Sequence, residues 1–145
     1  MELLSNVMKA SADAEFYPEA MFELGRTYVA KEEDDKAFEC FSRMAEKVKD
    51  STFVARAYIE MGSLSRNQSQ YNEALGYYKT VVEQMPMSGY AEDALAAIES
   101  IYQTRNQPDE YLDYIEAIGK GGIKTDDEKE SMLFNSAEQI FLSEN

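Results

Sequence analysis

Histidine and tryptophan are absent from this chain of 145 residues, cysteine occurs once, proline three times, and 14 basic residues face 28 acidic ones. Each shortage removes a class of function. Without histidine the commonest general base is missing, and neither a Ser-His nor a Cys-His nucleophile pair can be written. The lone Cys40 allows no disulfide framework and no cysteine metal cluster. Beside Phe41 in a helical pattern, it reads as a buried small side chain rather than a reactive thiol. A net charge of −14 repels phosphate backbones and anionic lipid headgroups, which argues against nucleic acid as a partner. No apolar run reaches the length of a membrane span, so no direct membrane insertion is expected. The opening MELLSNVM has neither the basic start nor the apolar length of a signal peptide, and an export signal of any parent protein is expected outside this chain.

What is present favours helix: 44% of the residues are apolar, 29% are charged, and prolines are rare. The length fits one domain. The informative stretch runs from Ala55 to Ser88. In its first half Tyr58, Met61, Gly62 and Ser65 recur at helical spacing. In its second half Ala74, Tyr78 and Val81 form the answering face, and Pro86 stops the helix. Large, large, small against small, large, large is an order in which two antiparallel helices interlock, with Gly62 leaving room for another backbone to come close.

The same order recurs 37 residues away in both directions. Backwards, Tyr58, Met61, Gly62, Ala74, Tyr78 and Val81 land on Met21, Leu24, Gly25, Ala37, Phe41 and Met44, each keeping its size class. Forwards they land on Leu95, Ile98, Glu99, Tyr111, Ile115 and Ile118. There the large positions hold and the two small ones become Glu99 and Tyr111, so the helices of this copy are expected to sit further apart or at another angle.

This order of residue types over residues 55–88 resembles the tetratricopeptide repeat. The resemblance implies an all-α fold, a right-handed α-α superhelix (a solenoid) of antiparallel helix pairs. Its repeats are expected at 18–51, 55–88 and, in degenerate form, 92–119. Residues 1–12, with Leu4 and Val7 at the same offset, read as the second helix of a truncated repeat, and 125–143 as the first helix of another. In that last segment Leu133, Ala137 and Ile140 match Tyr58, Gly62 and Ser65 at an offset of 75 rather than 74. The chain is therefore expected to be a fragment of a longer array. Thr125 and Glu128 make a capping-box pattern before the last helix, and Asp50, Ser51 and Thr52 each offer a cap for the helix that follows.

Other patterns weigh less. GKGGIK at 119–124 follows no strand and lacks Walker spacing, so it reads as a connection rather than a phosphate loop. Asp34 with Asp35, and Asp126 with Asp127, sit in turns and helix starts where acids serve solvation and capping. No catalytic residue, metal or cofactor is expected.

The functional expectation rests on surface shape. In the repeats that this chain resembles, the first helices line an inner wall that binds peptides or helices. Carried over position by position, that wall holds Phe22, Arg26, Arg56, Ile59, Arg66, Phe134 and Phe141 as partner-binding residues. Three arginines on one wall of so acidic a chain either greet a partner or pair with neighbouring acids. The places where some relatives clamp a chaperone's C-terminus hold Phe22, Arg26, Glu60, Asp93 and Ala97, of which only Arg26 has the right charge. YNEALGYYKTVVEQMPMSGYAEDAL is similar to bacterial repeats of the outer-membrane assembly lipoprotein and cell-envelope coordination type. That similarity covers mainly residues 55–118 and implies a periplasmic setting. The expected function is a non-catalytic protein–protein interaction scaffold that binds a peptide or helix in its concave groove; the alternatives are an architectural segment that self-associates through the half-repeats at its ends and a regulatory arm of a larger enzyme.

Overall fold

A computed structural model describes residues 16–120, 122 and 124–144, with side chains to residue 138, and over these residues the chain is all-α with no strand. Its helices are α1 (Tyr17–Ala30), α2 (Asp34–Lys47), α3 (Ser51–Asn67), α4 (Tyr71–Gln84), α5 (Ala91–Thr104), α6 (Pro108–Ala117) and α7 (Asp126–Glu144). Leu4 and Val7 lie outside the described residues, as do the side chains of Ile140 and Phe141. Two compact units divide the chain, Met1–Ala94 and Leu95–Asn145.

Local chemistry explains where the helices start. Pro18 stands in the first turn of α1 and Pro108 opens α6, positions where a missing N–H costs nothing. Of the caps offered before α3, Asp50 is the one used: its carboxylate accepts the Thr52 N–H at 2.8 Å. At α7 the Thr125 hydroxyl accepts from the Glu128 N–H at 3.1 Å, and the Glu128 carboxylate accepts from the Thr125 N–H at 3.4 Å. That reciprocal pair is a capping box.

Three of the helix stops share a device that no glycine announces, and the end of α6 repeats it with Gly119, whose φ is 78°, and the Lys120 N–H reaching Ile115 O at 2.7 Å. Glu32, Ser69 and Asn106 adopt left-handed φ values of 59°, 60° and 58°, and they lie 37 residues apart. After each, an N–H reaches back five residues: Glu33 to Tyr28 O at 2.9 Å, Gln70 to Ser65 O at 2.8 Å, and Gln107 to Tyr102 O at 2.7 Å. These bonds satisfy carbonyls that the helix end would otherwise orphan. Three residues thus suffice to reverse the chain between α1 and α2, α3 and α4, and α5 and α6.

In the first unit α1 packs on α2, α2 on α3 and α3 on α4, and α1 also meets α3. The core is built from the recurring positions: Met21, Leu24, Phe41, Met44 and Val81 are fully buried, and Met61 and Tyr78 nearly so. Gly25 lies against the ring of Phe41, where an added Cβ would stand 2.6 Å from Cε1 and Cζ. Gly62 lies against Tyr78, where it would stand 2.7 Å from Cε1. The small residue is therefore the socket for the partner helix's ring. Between the hairpins, Phe38 of α2 meets Tyr77 of α4 edge-on at 5.8 Å between centroids, and Tyr58 flanks Tyr77 at 6.1 Å.

In the second unit Ile98, Ile101, Tyr111 and Ile115 are buried and Tyr102 packs on Tyr111 at 6.5 Å. Glu99 stands where the other copies have glycine. Its carboxylate pairs with Lys124 at 2.9 Å and faces the Tyr111 hydroxyl, which burial and this charge push up to about 12. A polar link replaces the small-residue contact. α7 is pinned by Ser136, whose hydroxyl donates to the Asn106 carbonyl at 3.4 Å and meets the Asn106 side-chain oxygen; the Asn106 amide donates back to the Ser136 carbonyl at 3.3 Å.

Candidate interaction face on α1 and α3

The expected wall residues fall into three groups. Phe22, Arg26 and Arg56 lie where α1 meets α3, with Ile59 three residues beyond Arg56 on α3. Phe22 is 6% exposed, with its ring on Phe41 at 5.8 Å, so it serves as the floor of this face rather than as a contact in its own right. The Arg56 guanidinium lies over that floor, 3.8 Å from the Phe22 centroid, and 5.4 Å from the ring of Phe53 one turn away. Stacking of this kind is worth about 0.5–2 kcal/mol and removes much of the freedom of the arginine. Ile59 is half-buried one turn further along α3.

Arg26 takes the quieter of the two roles open to the arginines. Its Nη1 pairs with Glu60 Oε1 at 3.2 Å, and with the Arg26 side chain 57% exposed the pair adds little stability. It is a bond between α1 and α3. Gln68 donating to Asp34 at 3.4 Å makes a second bond across the same 34-residue separation. Arg66 is half-buried near the end of α3 and is itself engaged in the structure.

Phe134, the third kind, projects from α7 with 67% of its surface exposed, next to Leu133 at 43%. A cleft of about 250 Å³ opens on the same helix, lined by Gln103, Asn106, Pro108, Met132, Asn135 and Ser136. Among the described residues that line it none is charged, and its size falls below the usual range for small-molecule sites. Phe141 lies outside the described side chains.

Sequence reasoning missed the Arg56–Phe22 stack and the Asn106–Ser136 link, because each joins residues about 30 positions apart without periodicity to connect them. Phe53 was within reach, standing three residues before Arg56 on the same helix. Cys40 is fully buried, and burial with Glu39 beside it pushes the thiol from 9.0 up to about 11, which makes it a poor nucleophile. Among the described residues no group of three or more His, Cys, Asp or Glu is placed to hold a metal ion, and no helix is long and apolar enough to cross a membrane. No protein-family model, no curated protein and no solved structure matches the chain.

Proposed function

We propose that this chain is a non-catalytic scaffold of the tetratricopeptide-repeat kind, its hairpins turning as a right-handed superhelix, which holds a peptide or helix of a partner protein against its first helices. The observation that carries this reading is the recurrence, at one offset, of the whole hairpin device. The left-handed turn residue and the bond reaching back from it recur in three copies, and the glycine under an aromatic ring in two. Hairpins built to one plan stack on their neighbours and leave one side of the first helices open. On this reading Arg26, Ile59 and Arg66 belong to that side, beside Arg56, whose guanidinium lies over Phe22. A setting in the bacterial cell envelope remains part of the proposal through the resemblance of residues 55–118.

The experiment is selection from a displayed random peptide library, followed by amide chemical-shift mapping of the selected peptides on the labelled protein. The expected result is a continuous set of shifted amides along α1 and α3, with affinity lowered in the Arg26→Glu, Arg66→Glu double variant. Phe22→Ala is unsuitable here, since removing a buried ring unfolds as readily as it unbinds. Peptides that shift only α6 and α7, or a library that yields none, would overturn the reading.

A second reading is self-association. The exposed Phe134 and Leu133 on α7 favour it, because adjoining large apolar side chains in water mark a surface that is covered in use.

A further inference from the structure

The five arginines of this chain do not live alike. Arg26 and Arg43 are tied to Glu60 and Glu39 at 3.2 and 3.0 Å. Arg56, half-buried and stacked on a floor of its own, has neither a hydrogen bond nor an ion pair among the described residues. That is an unusual state in a chain carrying 28 carboxylates. Its neighbour one turn along, Glu60, is drawn off by Arg26. The ring of Phe22 covers one plane of the guanidinium and Phe53 flanks it, yet stacking engages the face of the group and leaves its N–H edge unused.

Resting on the proposed scaffold function, we propose that Arg56 is the anchor of the interaction face and receives a side-chain carboxylate, Asp or Glu, of the bound peptide, with Ile59 taking an apolar side chain of the same segment. A guanidinium fork matches a carboxylate in two parallel hydrogen bonds, and one already held by a ring loses little freedom on binding. The ligand is singly charged for an electrostatic reason. One guanidinium neutralises one charge, so a carboxylate leaves none unmet, whereas a phosphate dianion leaves a second charge with no cation partner on a chain of net charge −14.

The test uses peptides selected from a displayed library on the intact chain. Peptides that map to α1 and α3 are expected to be enriched in Asp or Glu. Changing that acid to its amide is expected to weaken binding about tenfold or more. Arg56→Gln is expected to cost the acidic peptide a similar factor and the amide peptide almost nothing. Arg56→Lys, which keeps the charge and loses the fork, is expected to restore only part of the affinity. The comparison of acid and amide peptides removes any general loss of folding caused by the substitution, because such a loss weakens both equally. Peptides that map to α1 and α3 but bind Arg56→Gln as they bind the native chain would overturn the anchor while leaving the scaffold reading standing. Phosphopeptides bound more tightly than their Glu counterparts would overturn the choice of carboxylate. Peptides that map nowhere on this face would overturn both.

Discussion

At the scale of single residues, the glycines of this chain divide by what stands opposite them. Gly25 and Gly62 face buried rings with no space for a methyl group, whereas Gly76, inside α4, has nothing within 4 Å of the place where a Cβ would go. Alanine is better than glycine in a helix by about 1 kcal/mol, so Gly76→Ala is expected to stabilise by roughly 0.5–1 kcal/mol. At Gly25 and Gly62 the same change is expected to destabilise by about 1–2 kcal/mol net, since overpacking a filled core outweighs the gain in propensity. Urea unfolding of the three variants checks this. Equal shifts in all three would mean that the rings of Phe41 and Tyr78 do not sit where they are described.

Cys40 supplies a pH test. Its thiol holds its proton up to about 11 in the folded chain against an ordinary 9.0. Folding therefore favours the protonated thiol. The stabilisation is fully present below pH 9.0 and is lost as pH rises towards about 11, where the unfolded chain has released a proton that the folded chain still holds. Tyr111, pushed from 10.0 up to about 12, adds to the same alkaline decline. Melting temperatures between pH 8 and 11 are expected to fall less steeply in Cys40→Ala than in the native chain. Parallel slopes would place the thiol in water.

At the scale of elements, the turns carry more of the design than the helices they join. Glu32 and Ser69 hold left-handed backbone without glycine's freedom, at φ of 59° and 60°. Glu32→Gly and Ser69→Gly are each expected to stabilise by roughly 0.5–1 kcal/mol, because glycine adopts this conformation without a Cβ clash. Asn106 has the same backbone but is expected to respond in the opposite sense. Its side chain bonds the Ser136 carbonyl at 3.3 Å, so Asn106→Gly trades a link to α7 for relief that asparagine needs less than most residues. Thermal unfolding of the three single variants decides the matter. The Glu99 copy follows a related logic: a carboxylate that replaces glycine survives because Lys124 and Tyr111 meet it, and Glu99→Ala is expected to cost about 1–2 kcal/mol by stranding the half-buried ammonium.

At the scale of the whole molecule, charge and the exposed apolar pair of α7 oppose one another. Copies at −14 repel at low ionic strength, and added salt screens that repulsion within about 8–10 Å. If Phe134 and Leu133 are the route to self-association, light scattering is expected to give a mass that rises with protein concentration in moderate salt and falls back in Phe134→Ser. A mass equal to one chain at every concentration would remove that reading and leave α7 for another partner.

Helix and helix starts were legible in the sequence because they obey local rules: a proline stands in a first turn, and a threonine and a glutamate cap each other across three residues. The small residues Gly25 and Gly62 were legible as points of close packing, but what fills the space is an aromatic ring rather than another backbone. All-α structure and most of the buried positions follow from the periodicity of the sequence, while Tyr58 and Ile118, at recurring positions, are only half-buried and Ile118 lies past the end of α6. The left-handed turns were not legible, since Glu, Ser and Asn share no side-chain signature and their conformation is imposed by the helices they join. The fates of the arginines were not legible either. Arg26 finds Glu60 and Arg56 finds Phe22 across a gap of 34 residues, and which acid or ring lies within reach is set by how α1 crosses α3. Sequence alone determined the hairpin, because its causes lie within a few turns of chain. Only tertiary structure decided which cations are already satisfied, because that depends on distances of a few ångströms between helices.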